Sequence, residues 1–297
     1  QQALAVGDTL LKLDPTQTDW QNDVALRSME LARLQRFDGN VSGAGTLISS
    51  AITRLTRLIH KDPSNAGWQR NYAAALTEQA AQSRAEGDLP AARAQIQSAL
   101  VILEPMLDKH PDERDTVLAA ITAKLLQADA TADPAAARAL RETALKALQA
   151  QKTGRDDPRL LALQVRALLA LDRFAEALSD LEQVTLLAPG DFAGWYNRGY
   201  ALARLLRWPK ALDALDHALA LDPQSALAWH NRGLAVGALG HDRAALAAFD
   251  RALALDRRLA ATWATRGATL ADLGDYAAAL ASCAQALALD PTSAEAW

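Results

Sequence analysis

The chain has 297 residues, 50% of them apolar and only 5% aromatic, so its apolar share is mostly Ala and Leu. That composition favours helices packed close together and leaves too few β-branched and aromatic side chains for a sandwich or barrel. Thirty-one Lys and Arg against 35 Asp and Glu give a net charge of −4, with no basic excess to neutralise the phosphates of a nucleic acid.

In chain order, residues 1–13, running into LLKLD before Pro15, read as the second helix of a hairpin whose first helix is missing. Pro15, Pro63 and Pro111 then recur every 48 residues, and Pro158 follows after 47. LDPTQTDWQNDVA (13–25) mirrors KDPSNAGWQRNYA (61–73), which makes Trp20 and Trp68 equivalent. Gly39 and Gly87 are again 48 apart, each followed by a capping residue, Asn40 and Asp88. The pattern predicts helical hairpins with arms of about 20 residues. The cluster Gly39, Gly43, Gly45 has a faint likeness to a phosphate loop. It follows a helix and not a strand, so it reads as an inter-helix turn. A third hairpin, about 112–157, is shorter in its first helix and turns at Asp133-Pro134.

From Pro158 the period shortens. Trp195, Trp229, Trp263 and Trp297 are each 34 residues apart. Gly199, Gly233 and Gly267 follow the first three by four residues; Ala211, Ala245 and Ala279 follow by 16, and Ala218, Ala252 and Ala286 by 23. The units close alike, as ALALDP, ALALDR and ALALDP. Trp, Gly and the residue three beyond it share one helical face, where Gly lets a second helix approach. The two Ala of the second helix form the matching stripe. Gly240 and Gly274 stand where the first helix stops, and Asp-Pro ends the second. Each unit is a hairpin that buries its apolar face only by stacking on its neighbours.

These residues resemble the tetratricopeptide repeat family, whose 34-residue period and Trp, Gly, Ala, Ala and Pro positions recur here three times. The resemblance implies an all-α fold, a right-handed superhelical solenoid of antiparallel hairpins. Residues 158–297 form the array, in units 158–191, 192–225, 226–259 and 260–293, with the start of another at 294. The first of these is weaker and keeps Phe174, Ala177 and Pro189 in phase. Residues 1–157 read as divergent hairpins of the same kind. Leu206 replaces the usual turn glycine, and Arg257 replaces proline, which predicts a less sharp helix end there. Neither end shows a polar capping repeat, so the chain reads as a piece of a longer protein.

No GxxxxGK[ST], GxSxG or HExxH motif is present, and His60, His110, His217, His230 and His241 lack metal-ligand spacing. No catalytic residue, metal site or cofactor is therefore expected. The single cysteine, Cys283, excludes an internal disulfide. It takes a second-helix site held by Leu215 and Phe249 in neighbouring units and reads as a small buried hydrophobe. The Trp column reads as packing and not as an aromatic cage, and Trp208 as filling the apolar site of Phe174 and Tyr276. No run of about 18 apolar residues exists to cross a bilayer. Cytoplasm and periplasm both remain open.

In the family the other face of the first helices lines a concave groove that binds peptides or partner helices. Carried over by offset from each Trp, the resemblance places Tyr196, Asn197, Tyr200 and Arg204 there, then His230, Asn231, Leu234 and Ala238, then Ala264, Thr265, Ala268 and Asp272. Asn197 and Asn231, with Thr265 on the third rung, resemble the asparagine ladder of O-GlcNAc transferases. An Asn amide both donates and accepts, so it suits a peptide backbone; bonds within the solenoid are the alternative role. The carboxylate clamp of chaperone-docking repeats is absent, with Tyr196, Tyr200, Ala261 and Thr265 in its place. Arg198, Arg232 and Arg266 form a separate column that predicts ion pairs with nearby acids. The expected function is a non-catalytic scaffold that binds a protein or peptide partner in the groove, with no nucleic acid and no membrane insertion. Two alternatives stand beside it. One is the regulatory or substrate-recruiting arm of a larger enzyme, of the glycosyltransferase or membrane-anchored kinase type. The other is a module that self-associates through its uncapped ends.

Overall fold

The computed structural model describes residues 2–37, 39–151, 157–294 and 296; among them there are fifteen helices and no strand. The chain divides into two compact units, Gln1–Gly154 and Arg155–Trp297.

The first unit holds α1 (Gln2–Leu13), α2 (Thr18–Phe37), α3 (Val41–Lys61), α4 (Ala66–Ala85), α5 (Leu89–Lys109), α6 (Arg114–Asp129) and α7 (Pro134–Gln149). α1 packs on α2, and α2–α3, α4–α5 and α6–α7 are antiparallel hairpins. The arms of the first two hairpins are 20 and 21 residues long, as the 48-residue period predicts, and those of the third are 16. Asn40 and Asp88 cap as expected. Their side chains accept from Gly43 N and Ala91 N at 3.0 Å, satisfying amides that the first helical turn leaves unpaired. Gly39 and Gly87 supply the left-handed turn before each cap, at φ 82° and 85°.

The second unit holds α8 (Pro158–Ala170), α9 (Phe174–Leu187), α10 (Phe192–Arg204), α11 (Trp208–Leu221), α12 (Ala226–Ala238), α13 (Asp242–Leu255), α14 (Ala260–Asp272) and α15 (Tyr276–Leu289). These pair in sequence into four hairpins, and each second helix also packs on the first helix of the next hairpin. The small-residue columns set the close approach. A Cβ on Gly199 would lie 2.6 Å from Leu215 Cγ; on Gly233 it would meet the Phe249 ring, and on Gly267 the Cys283 sulfur at 2.7 Å. Ala211, Ala218, Ala245, Ala252, Ala279 and Ala286 are all buried opposite them. Cys283 fills the space above Gly267 but is only half-buried, less covered than the buried hydrophobe expected.

The Trp column packs and also closes turns. Trp195, Trp229 and Trp263 donate their indole N–H to the carbonyls of Pro189, Pro223 and Arg257 at 2.9, 3.0 and 2.9 Å. In the first unit the same carbonyl, at Pro15 and Pro63, is taken by Gln21 and Gln69. Trp297 lies outside the described residues. Ala296 is buried against Ala264 and Ala286.

One expectation is corrected. Arg257 does not blur its helix end: α13 stops at Leu255, in phase with α11 at Leu221 and α15 at Leu289. The stop is made by the aspartate and not by proline. Asp14, Asp62, Asp222, Asp256 and Asp290 each accept the amide two residues on, at 2.9 Å. Side-chain hydrogen bonds to the same partner residues, Thr16, Ser64, Arg258 and Thr292, hold Asp14, Asp62, Asp256 and Asp290 below the ordinary carboxylate range.

Candidate functional site

Helical spacing decides which side chains share a face. On α10, Ala193, Asn197, Tyr200 and Arg204 stand at i, i+4, i+7 and i+11. Leu227, Asn231, Leu234 and Ala238 repeat this on α12, and Ala261, Thr265, Ala268 and Asp272 on α14. A parallel strip on α10, Phe192, Tyr196 and Tyr200, recurs every fourth residue.

The structure brings Tyr196 and Asn231 together across adjacent hairpins: the Asn231 amide donates to the Tyr196 hydroxyl at 3.2 Å. Asn231 is only 9% exposed. Tyr196 stacks on Phe192, centroids 5.7 Å apart, and burial pushes its phenol pKa up. Tyr200 meets the Phe174 ring edge-on at 5.9 Å. Arg204 closes that group. It donates to the Tyr200 hydroxyl at 2.8 Å, lies 4.4 Å over the Phe174 ring and pairs with Asp172 at 3.6 Å.

The remaining expected residues do not join this cluster. His230 hydrogen-bonds Thr262 Oγ1 through Nδ1 at 3.0 Å beside Phe249. Burial there pushes its pKa down, so it is neutral near pH 7. Thr265 returns its hydroxyl to the Ala261 carbonyl at 2.5 Å. Asn197 has no hydrogen-bond partner among the described residues, and Asp272 is exposed. Ala264 is fully buried against Ala286 and Ala296 and does not face solvent. Of the three ladder positions, Asn197 has no partner among the described residues, Asn231 is bonded to Tyr196 of the adjacent hairpin, and Thr265 is bonded to its own helix.

The column of Arg198, Arg232 and Arg266 ties hairpins together. Each guanidinium lies over the Trp of its own helix, at 5.4, 5.7 and 5.8 Å. Each also reaches an acid on the preceding helix: Glu182 at 3.7 Å, Asp216 at 2.6 Å and Asp250 at 2.7 Å.

Phe192, Phe174, Asp172 and Thr262 were missed as neighbours of the predicted residues. The four-residue spacing of Phe192, Tyr196 and Tyr200 is a signal the sequence carries. The approach of Asp172, Phe174 and Thr262 comes from adjacent hairpins and has none.

What lies open on this face is mainly apolar. Leu227 is 52% exposed, Leu234 and Tyr200 are half-buried, and Ala238, Ala261 and Ala268 are exposed. Among the described residues no group of His, Cys, Asp and Glu is arranged to hold a metal ion. No helix among them is long and apolar enough to cross a membrane.

Two family models of the tetratricopeptide repeat match residues 163–226 and 260–293. No curated protein matches the chain. Among solved structures it is similar to YrrB, a TPR protein with an unusual peptide-binding site: 19% identity over 68% of this chain and 92% of that one, TM-score 0.50. It is also similar to MamA 41-end from Desulfovibrio magneticus RS-1, at 22% identity over 58% and 97% of the two chains, TM-score 0.49. TTC0263, a thermophilic TPR protein in Thermus thermophilus, aligns at 25% identity over 57% and 87%, TM-score 0.45.

Proposed function

We propose that this tetratricopeptide repeat protein is an interaction scaffold that takes a partner polypeptide on the first-helix face of α10, α12 and α14. One observation carries the reading: an open apolar strip, from Tyr200 through Leu227 and Leu234 to Ala268, continues across three successive hairpins. Repeat arrays build extended binding surfaces from such shallow, serial contacts. The polar side chains beside the strip are mostly engaged within the protein. Affinity therefore comes from apolar side chains of the partner, with Tyr200 as the aromatic anchor and Arg204 held rigid beside it. The free Asn197 amide supplies one contact to the partner's backbone. The peptide-binding site named for YrrB, whose fold this chain shares, is consistent with this use.

The test is capture of a selected partner peptide by the wild type and by Leu234→Glu and Ala268→Glu. Ala268 is exposed, so Ala268→Glu should keep its circular dichroism and melting temperature while affinity falls by about tenfold or more, the order expected when a charge enters an apolar contact. Leu234 also packs on Val236 and Phe249, so Leu234→Glu should lower the melting temperature and is compared at a temperature where circular dichroism shows it folded. Unchanged affinity in both variants removes the strip from the function. Asn231→Ala is a poor probe, because it strips a buried hydrogen bond from Tyr196 as well.

A second reading has its own observation. Leu280 on α15 is 73% exposed, whereas Leu178, the same repeat position on α9, is 7% exposed under the following hairpin. That face suits the first helix of another hairpin, including one from a second copy of the chain.

A further inference from the structure

We propose that the first unit carries a second, separate site: a groove between α3 and α5, floored by α4, that binds a small apolar carboxylate such as a medium-chain alkanoate. The groove has a volume of about 410 Å³, within the range of small-molecule sites. Its walls are apolar, with Ile59 from α3 facing Val101 and Met106 from α5. Pro105 lies inside α5 in this wall, and, lacking an N–H, it cannot donate to the Val101 carbonyl. Val101 is an exposed valine in mid-helix, an apolar side chain that packing of this hairpin leaves uncovered.

Two lining residues set the ligand's charge. Lys109 lines the groove at the last turn of α5, where it is exposed, and its ammonium has no carboxylate partner among the described residues. Tyr72 lines the floor, and its hydroxyl has no hydrogen-bond partner among them. An ammonium donates and cannot accept, and a phenol donates readily. The third polar lining residue, Gln69, is committed to the Pro63 carbonyl. Apolar walls with unclaimed donors fit a ligand with a hydrocarbon body and an anionic, accepting head. The size favours a small molecule over a folded partner, whose footprint would be far larger.

Calorimetric titration of the full chain with sodium decanoate below its micelle concentration tests this, with decanol as the uncharged counterpart. Saturable binding at one site is expected, with decanoate preferred over decanol. Lys109→Met should weaken decanoate roughly tenfold and leave decanol unchanged, because it removes one charge-assisted hydrogen bond. Val101→Asp should abolish both; since both side chains are at the surface, circular dichroism should show the variants folded. Unsaturable uptake, or equal decanoate affinity in Lys109→Met, overturns the proposal. Tighter binding of a tetrapeptide ending in leucine than of decanoate overturns its small-molecule assignment. None of these outcomes depends on the partner-binding face of the second unit.

Discussion

Leu206 holds a backbone conformation that leucine disfavours. Its φ is 59°, in the left-handed region, and it stands 34 residues before Gly240 and 68 before Gly274, which sit at 83° and 82°. Asp172, one period earlier, is at 58°. The turn geometry is thus fixed by the hairpin and not by the residue that fills it. A non-glycine residue there costs about 1–2 kcal/mol, and glycine gives back part of that through unfolded-chain entropy. Leu206 is also 70% exposed, so little packing is lost on removing its side chain. Leu206→Gly should therefore raise stability by about 0.5–1 kcal/mol, readable as a higher urea midpoint at unchanged slope; a lower midpoint would show that the side chain matters more than the turn.

At the scale of the helix pair, stability rests on how near two backbones come. Gly199, Gly233 and Gly267 leave room for the bulkier residue opposite, and the buried alanines of the second helix complete the seam. Ala245 is fully buried and lies in ordinary contact with the Gly237 position, 3.4 Å from where a Cβ would be. Ala245→Leu forces three further heavy atoms into that seam and should cost about 1–3 kcal/mol through off-rotamer packing and helix displacement. A thermal melt of the variant decides it, and an unchanged melting temperature would mean the seam is looser than its contacts imply. The same reasoning explains why Phe249 and Cys283 can share one repeat position: each fills the space above a glycine, and only the volume differs.

Across a whole unit, each hairpin contacts its neighbours in the chain, so stability is close to a sum of hairpin and interface terms. The face of α15 that carries Leu280, 73% exposed, differs from that of α9 that carries Leu178, 7% exposed, in what covers it. If copies stack on α15, light scattering across a dilution series should show a concentration-dependent mass that Leu280→Glu abolishes. A concentration-independent mass for the wild type would exclude that reading.

The sequence by itself determined the helices, their pairing into hairpins, the turn positions and the closely packed columns, because each depends on residues within one period of one another. Gly240, Asn40, Asp88 and the Trp–Gly spacing act locally, and local chemistry is written in order along the chain. Only the tertiary structure decided which polar side chains remain available. Asn231 and Thr265 look alike as rungs by offset, yet one is covered by the Tyr196 of an adjacent hairpin and the other folds back onto its own helix. Arg257 likewise looks like a weakened stop until Asp256 is seen to make the turn without proline. A hydrogen bond is claimed by whichever partner lies nearest in space, and that partner comes from the stacking of hairpins as often as from the spacing of residues.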